Sequence, residues 1–342
     1  MKLIKLWAVI LAVTILFSAC SPKKQTAQKP ESEQIKLEEQ QPEDHPFYTR
    51  MENFKTRPIT LMIDNDDKRA RPQLGLESAY LVYEIIVEGG ATRFMALFDD
   101  YNIEKLGPVR SSRHYFIDYA MENDAIYVHC GYSPQAARDL RNFGINNING
   151  VTGGDGSVFW RDYTYDKTWH NLYTSLKTVT DFAKETKKYS FESENNKVLK
   201  YLKQDETPQS ETNATEINIP YSQGYKVTYT YNEELMAYER SINGDAHTSQ
   251  TGEVLNAKNI IVYKVPNYTL NDGENKGRQD IKNIGNGEGW YFTNAKAVKI
   301  NWSKPSRNAK TVYTLENGEE LMINPGNTYI QIMPSFNELT FG

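Results

Sequence analysis

Apolar and polar positions divide the chain into stretches of different character. Leu6 to Phe17 is apolar apart from Thr14 and follows Lys2 and Lys5. As a helix this run would be about 18 Å long, short of a hydrocarbon core of about 30 Å. It therefore predicts the apolar region of a signal peptide. Ser21 to His45 holds Lys, Gln, Glu, Ser and Pro with almost no large apolar residue. Such a segment cannot bury enough surface to order itself, and predicts a tether with an r.m.s. span of roughly 28 Å.

From Pro58 short apolar runs alternate with helical spacing. Ile59–Ile63, Tyr80–Val87, Arg93–Phe98 and Ala125–His129 read as strands, with Gly89-Gly90 as a turn. Ser111 or Ser112 is expected to cap a helix reaching Glu122. Pro134 opens another that ends near Phe143, before Gly144, and a third is expected from Leu172 to Thr186. Tyr189 to Pro220 is polar. Beyond it Lys226–Tyr231, Ala237–Ile242, Asn259–Val265 and Ala297–Trp302 alternate with period two. Asn243-Gly244, Asp272-Gly273, Asn286-Gly287 and Asn317-Gly318 punctuate this part as tight-turn signals. The expected layout is a signal peptide over 1–19, a lipidated cysteine and tether over 20–46, and an α/β (α+β) domain over 47–190. A polar linker over 191–222 and a smaller, mostly-β domain over 223–342 complete it, the latter a barrel or sandwich.

Composition narrows the function classes. Of 342 residues 39% are hydrophobic, which excludes wholesale disorder. Lys and Arg total 39 against 44 Asp and Glu, so no positive field draws in nucleic acid. Two cysteines cannot make a disulfide framework or a thiolate zinc site. Phe17-Ser18-Ala19-Cys20 resembles the lipobox of bacterial lipoproteins, with Phe17 where Leu is usual. The resemblance implies that Cys20 carries a diacylglyceryl group and holds the chain on the extracytoplasmic face of the cell membrane.

Many blocks, in one order, resemble the YerB family of bacterial lipoproteins. They are Arg57-Pro58, Met62-Ile63-Asp64-Asn65, Ala70-Arg71-Pro72-Gln73, Val82-Tyr83-Glu84 and Glu88-Gly89-Gly90-Ala91-Thr92-Arg93-Phe94-Met95, followed by Gly107-Pro108-Val109-Arg110-Ser111-Ser112-Arg113, Tyr127-Val128-His129, Ser133-Pro134-Gln135-Ala136, Phe159-Trp160-Arg161 and His170-Asn171-Leu172-Tyr173. The resemblance covers nearly the whole mature chain. It implies an N-terminal and a C-terminal part and a cell-surface location, and it supplies no activity. The family has a small residue after His129, where this chain has Cys130, so a nucleophilic thiol would not be a family property.

The residues offer several chemistries. Arg110 and Arg113, three apart with Ser111 and Ser112 between them, could form an anion site at a helix start. They could equally pair with acids such as Glu84, Glu88 or Asp118. His129 ends a strand, where ligands gather in open α/β sheets, or it is a buried histidine bonded to backbone. His170, with Asn171, Trp160 and Arg161, could line the same cleft, and two histidines could act as acid and base. Glu84 and Glu88 face one way and serve as paired carboxylates, metal ligands, or counter-ions for Arg93, Arg110 and Arg113. Asp64, Asp66 and Asp67 read as a polar turn rather than a cation loop. Cys130 and His129 point to opposite faces of a strand, which argues against a thiolate–imidazole pair. Trp290, Tyr291 and Trp302 read as core or as sugar-stacking surface.

These residues lead to one principal expectation. Arg93, Arg110, Ser111, Arg113, His129, Arg161, His170 and Asn171 line a cleft for an anionic cell-wall component, with no cofactor and no metal. An alternative is a wall hydrolase or transferase using His129 or His170 as base and Glu84 or Glu88 as acid. A third is a protein-interaction scaffold acting through the β domain.

Overall fold

The structure, a computed structural model, describes residues 43–193 and 195–342. The expected signal peptide, Cys20 and the expected tether as far as residue 42 lie outside the described residues. Among the described residues there are four α-helices: α1 (Pro46–Asn53), α2 (His114–Glu122), α3 (Pro134–Asn142) and α4 (Leu176–Glu185). The N-terminal half contributes β1 (Ile59–Ile63), β2 (Leu81–Ile86), β3 (Thr92–Phe98), β4 (Ile126–His129) and β5 (Asn147–Asn149) to a ten-stranded sheet.

The C-terminal half supplies the other five strands. From the edge inward they are Val312–Leu315, Lys296–Lys304, Gly285–Thr293, Asn259–Val265 and Thr328–Pro334, followed by β2, β3, β1, β4 and β5. Thr328–Pro334 lies parallel to both Asn259–Val265 and β2, pairing Glu84 with Gln331. It is buried along its whole length. Residues of both halves are therefore hydrogen-bonded into one sheet. The fold is mixed α/β, with few helices and a mostly-β C-terminal region.

Period two along β2 explains how the layers stack. Tyr83 turns to the helical face, where its hydroxyl donates to Glu122 of α2 at 2.8 Å. Glu84 turns to the opposite face, where a second sheet covers it. That sheet runs Asp245–Ala246, Ala237–Ile242, Tyr225–Asn232, Glu216–Ser222 and Thr340–Phe341, with Asn256–Ala257 paired to Ala237–Ile242. Tyr221 of the second sheet donates to the Glu84 carbonyl at 2.9 Å. A strand buried on both faces reads as a near-continuous apolar run, and β1 and β3 are buried throughout, apolar apart from Thr60, Thr92 and Arg93.

Three sequence expectations are corrected. Neither Ser111 nor Ser112 caps α2, whose N-cap is Arg113 with no side-chain cap bond. The Ser111 hydroxyl instead donates to the Cys130 carbonyl, and the Ser112 hydroxyl accepts from Tyr127. The third helix starts at Leu176, because Leu172–Thr174 is a strand against Phe159–Arg161, and Ser175 caps the helix behind it. Asn286-Gly287 lies inside the strand Gly285–Thr293. A Cβ at Gly287 would stand 3.0 Å from the Trp302 indole nitrogen, so this glycine makes room for a cross-strand ring. No helix among the described residues is long and apolar enough to cross a membrane.

Candidate functional site

β1 is parallel to β4 and β4 to β5, so three carboxyl ends meet at one edge of the sheet. Asp64 follows β1, Cys130 follows β4 and Gly150 follows β5. Such edges are where ligands collect in open α/β sheets. Segment 108–113 is laced into this edge. The Asp64 amide donates to the Pro108 carbonyl at 2.8 Å, Arg110 donates to Met62 at 2.9 Å, and Cys130 donates to Arg110 at 3.0 Å.

Asp64 is the hub. It is fully buried, and its Oδ2 lies 2.7 Å from His170 Nδ1 and 2.8 Å from Arg110 Nε. Its Oδ1 accepts from the Asp66 amide at 3.1 Å. The outer nitrogen of His170, Nε2, is 2.7 Å from the Trp169 indole nitrogen. An indole only donates, so Nε2 accepts, and the ring hydrogen sits on Nδ1 facing Asp64. Asp66 takes Arg93 at 2.8 Å and Arg110 at 3.1 Å. Burial alone would raise the Asp66 carboxyl, but the two guanidiniums outweigh it and hold its pKa at about 2.

Arg161 behaves differently from these paired arginines. Its Nη1 donates to Asn171 Oδ1 at 2.6 Å, and no described carboxylate stands within ion-pair distance. Asn171 is fixed in turn by the carbonyls of Asp166 and Thr168. Arg161 and Arg110 both act on the Cys130 thiol from nearby, yet burial outweighs them and the thiol pKa is raised. Cys130 is thus a protonated, half-buried thiol and no ready nucleophile. Around Arg161 the chain exposes Trp160, Tyr163, Tyr165 and Trp169, four large aromatics within ten residues.

The other expected site residues are placed elsewhere. Arg113 is bidentate on Glu88, at 2.5 and 2.8 Å, while Arg110 turns to Asp64 and Asp66, so the two arginines do not form a clamp. Arg93 is buried, with Asp66 on one arm and the Ser111 carbonyl on the other. Glu84 is buried under Arg240 rather than paired with Glu88. His129 is fully buried, with Nδ1 2.8 Å from the Gly131 carbonyl and Nε2 3.3 Å from Asn147. Burial depresses its pKa to about 4, so it is neutral and committed to structure. No acid–base pair joins His129 to His170. Sequence reasoning missed Asp64 as the hub; its signal was an acid placed directly after a short, mostly apolar strand. Arg240 and His247 were also missed, because they meet Glu84 and Gln73 only across the two halves, and so were Asn65, Arg71 and Gln73, whose bonds to one another form within a loop that carries no periodic signal.

Together these features define a protein in which an α/β half and a β-rich half share one sheet, with a charged edge at the carboxyl ends of its parallel strands. Residues 47–190 match the family described as "Protein of unknown function (DUF3048) N-terminal domain", and residues 217–330 match its C-terminal domain. The chain is 31% identical over 291 residues to the Bacillus subtilis protein named "Putative lipoprotein YerB", covering 84% of this chain and 85% of that one. It is also similar to the crystal structure of YerB protein from Bacillus subtilis, with a TM-score of 0.72 and 29% identity over 84% of this chain and 94% of the other. The chain belongs to the YerB family.

Proposed function

We propose that this protein is an extracytoplasmic lipoprotein, anchored through Cys20, that binds an anionic cell-envelope polymer at the carboxyl edge of β1, β4 and β5. The observation that carries the reading is Arg161, an exposed guanidinium held by a neutral amide, with exposed Tyr163, Tyr165 and Trp169 following it in the chain. A carboxylate or phosphate on a sugar chain satisfies both parts: the anion meets the fork, and the sugar faces stack on the aromatic rings. Two acyl chains on Cys20 hold the body at the membrane, where a single chain would hold only weakly.

Two experiments test this reading. Cys20→Ala moves the protein out of the membrane fraction; unchanged fractionation removes the anchor. Arg161→Gln lowers affinity for purified anionic wall polymer by about tenfold or more, in line with a lost charge-assisted bond. Equal binding by wild type and variant removes the site.

One observation favours a second reading, a wall hydrolase or transferase. Asp64 fixes the Nδ1 side of His170 and leaves Nε2 as an acceptor covered by the exposed Trp169 indole, an arrangement that becomes a general base once Trp169 moves aside. In that reading His170→Gln abolishes turnover of wall polymer and leaves binding intact.

A further inference from the structure

A cavity of about 210 Å³ opens on the far side of the Asp64–Asp67 turn, between that turn and the second sheet; Lys68, Arg71, Asn243, Asp245, His247 and Thr248 line it. Arg71 is partly buried there and donates from Nη1 to Asn65 Oδ1 at 2.8 Å. No described carboxylate lies within the 4.0 Å of an ion pair with it. The neighbouring arginines are all compensated: Arg69 by Asp67, Arg93 by Asp66, Arg110 by Asp64, and Arg240 by Glu84.

The wall behind Arg71 adds no negative charge. His247 is buried, with Nδ1 against Arg240 and Nε2 2.7 Å from Gln73. Burial, together with the charges of Arg240 and Arg71, keeps that ring neutral. The one acid in the lining, Asp245, is held by Lys68 at 3.0 Å, and both side chains are largely exposed. An exposed pair of this kind contributes little and opens readily to an incoming ligand. Burial pulls the pKa of Arg71 downward, as expected of a cation short of a counter-charge.

We propose that this cavity is a phosphate-binding site, with Arg71 as its fork, Lys68 as a second cation and the Thr248 hydroxyl as a neutral donor. A guanidinium presents parallel donors matched to phosphate oxygens, and an ammonium beside it adds charge without geometric demand. The anchor of Arg71 is itself firm, since Asn65 also accepts from Gln73 and donates to Thr92 and Tyr225. The site uses none of the residues around Arg161, so it stands or falls independently of the polymer-binding edge.

The test is calorimetric titration of the full chain with inorganic phosphate and, separately, with glycerol phosphate. Wild type binds at least one of them, and Arg71→Gln weakens that binding about 10- to 100-fold, the loss expected for hydrogen bonds to a charged group. Arg161→Gln leaves it unchanged. Binding of the ester alone identifies a phosphorylated organic ligand; equal binding of both identifies the phosphate group as sufficient. Should Arg71→Gln fold poorly, the Arg71 Nε–H resonance of wild type shifts on phosphate addition. Absence of binding by wild type, a loss caused by Arg161→Gln in place of Arg71→Gln, or an unmoved Arg71 resonance each overturns the assignment.

Discussion

Asp64 and His170, 106 residues apart in sequence, meet through a 2.7 Å contact from Oδ2 to Nδ1 with both side chains closed to solvent. The same carboxylate oxygen faces Arg110, so one buried negative charge orders an imidazole and a guanidinium at once. Removing that charge weakens both contacts, although Arg110 keeps Asp66 at 3.1 Å and a quarter of its side chain stays in solvent.

Asp64→Asn should therefore cost about 1.5–3 kcal/mol in urea denaturation. Trp169 is exposed, and Trp169→Phe should cost less than about 1 kcal/mol while freeing Nε2. Nitrogen chemical shifts at neutral pH should show the His170 hydrogen on Nδ1 in both wild type and Trp169→Phe. A hydrogen on Nε2 would refute the orientation described above.

Glu84 and Arg240 join the halves by a fully buried pair at 2.8 Å, and the Thr92 hydroxyl donates to the same carboxylate at 2.6 Å. Glu84→Gln should lose about 3–5 kcal/mol, because Arg240 keeps its charge in a dry site. Arg240→Met made together with Glu84→Gln should recover part of that loss. A double-mutant cycle in urea measures the coupling, and additive single losses would show that the pair does not act as a unit.

Local chemistry decided which parts of this fold were legible. Ile59–Ile63 was readable because an apolar, β-branched run between polar turns has few other solutions. Asn243-Gly244 was readable too, with both residues at positive φ, whereas the turn at Asn294-Ala295 takes the same left-handed backbone without a glycine to announce it. The insertion of Thr328–Pro334 beside β2 left no local trace, since parallel pairing across more than two hundred residues depends on no turn. The site follows the same division. Asp64 at a strand end was visible, but its partner His170 was fixed by tertiary packing alone. Arg110 and Arg113 looked alike in sequence and face different acids because the helix begins only at His114.

Gly107 tests the lacing of segment 108–113. Its φ is +149°, and a Cβ there would lie 2.8 Å from the Leu172 carbonyl oxygen, a backbone atom with little room to yield. Gly107→Ala should cost about 1–3 kcal/mol from strain, with more if the strand at Leu172–Thr174 must shift. Thermal melts give the loss, and hydrogen exchange at Val109, whose amide donates to Leu172, should speed up with it. Unchanged protection at Val109 would mean that the glycine is incidental.

His129 sets a pH dependence whose sign follows from its burial. Its pKa is depressed to about 4 in the folded chain, against an ordinary value of about 6.5. Above pH 6.5 the ring is neutral in both states and contributes nothing to the difference. As the pH falls from 6.5 towards 4 the unfolded chain takes up a proton that the folded chain refuses, and stability drops by up to about 3 kcal/mol. Asp118 works in the opposite sense. Burial, against the pull of Arg307, raises its carboxyl to about 6, so folding gains from its protonation over an overlapping range. Wild type alone would therefore show a blunted slope, and comparison with His129→Gln separates the two effects. Between pH 7 and pH 4, wild type should lose about 3 kcal/mol relative to the variant in parallel urea titrations, whatever Asp118 contributes to both. A difference that stays constant across that range would mean that the ring protonates in place and is less tightly enclosed than its contacts with Gly131 and Asn147 require.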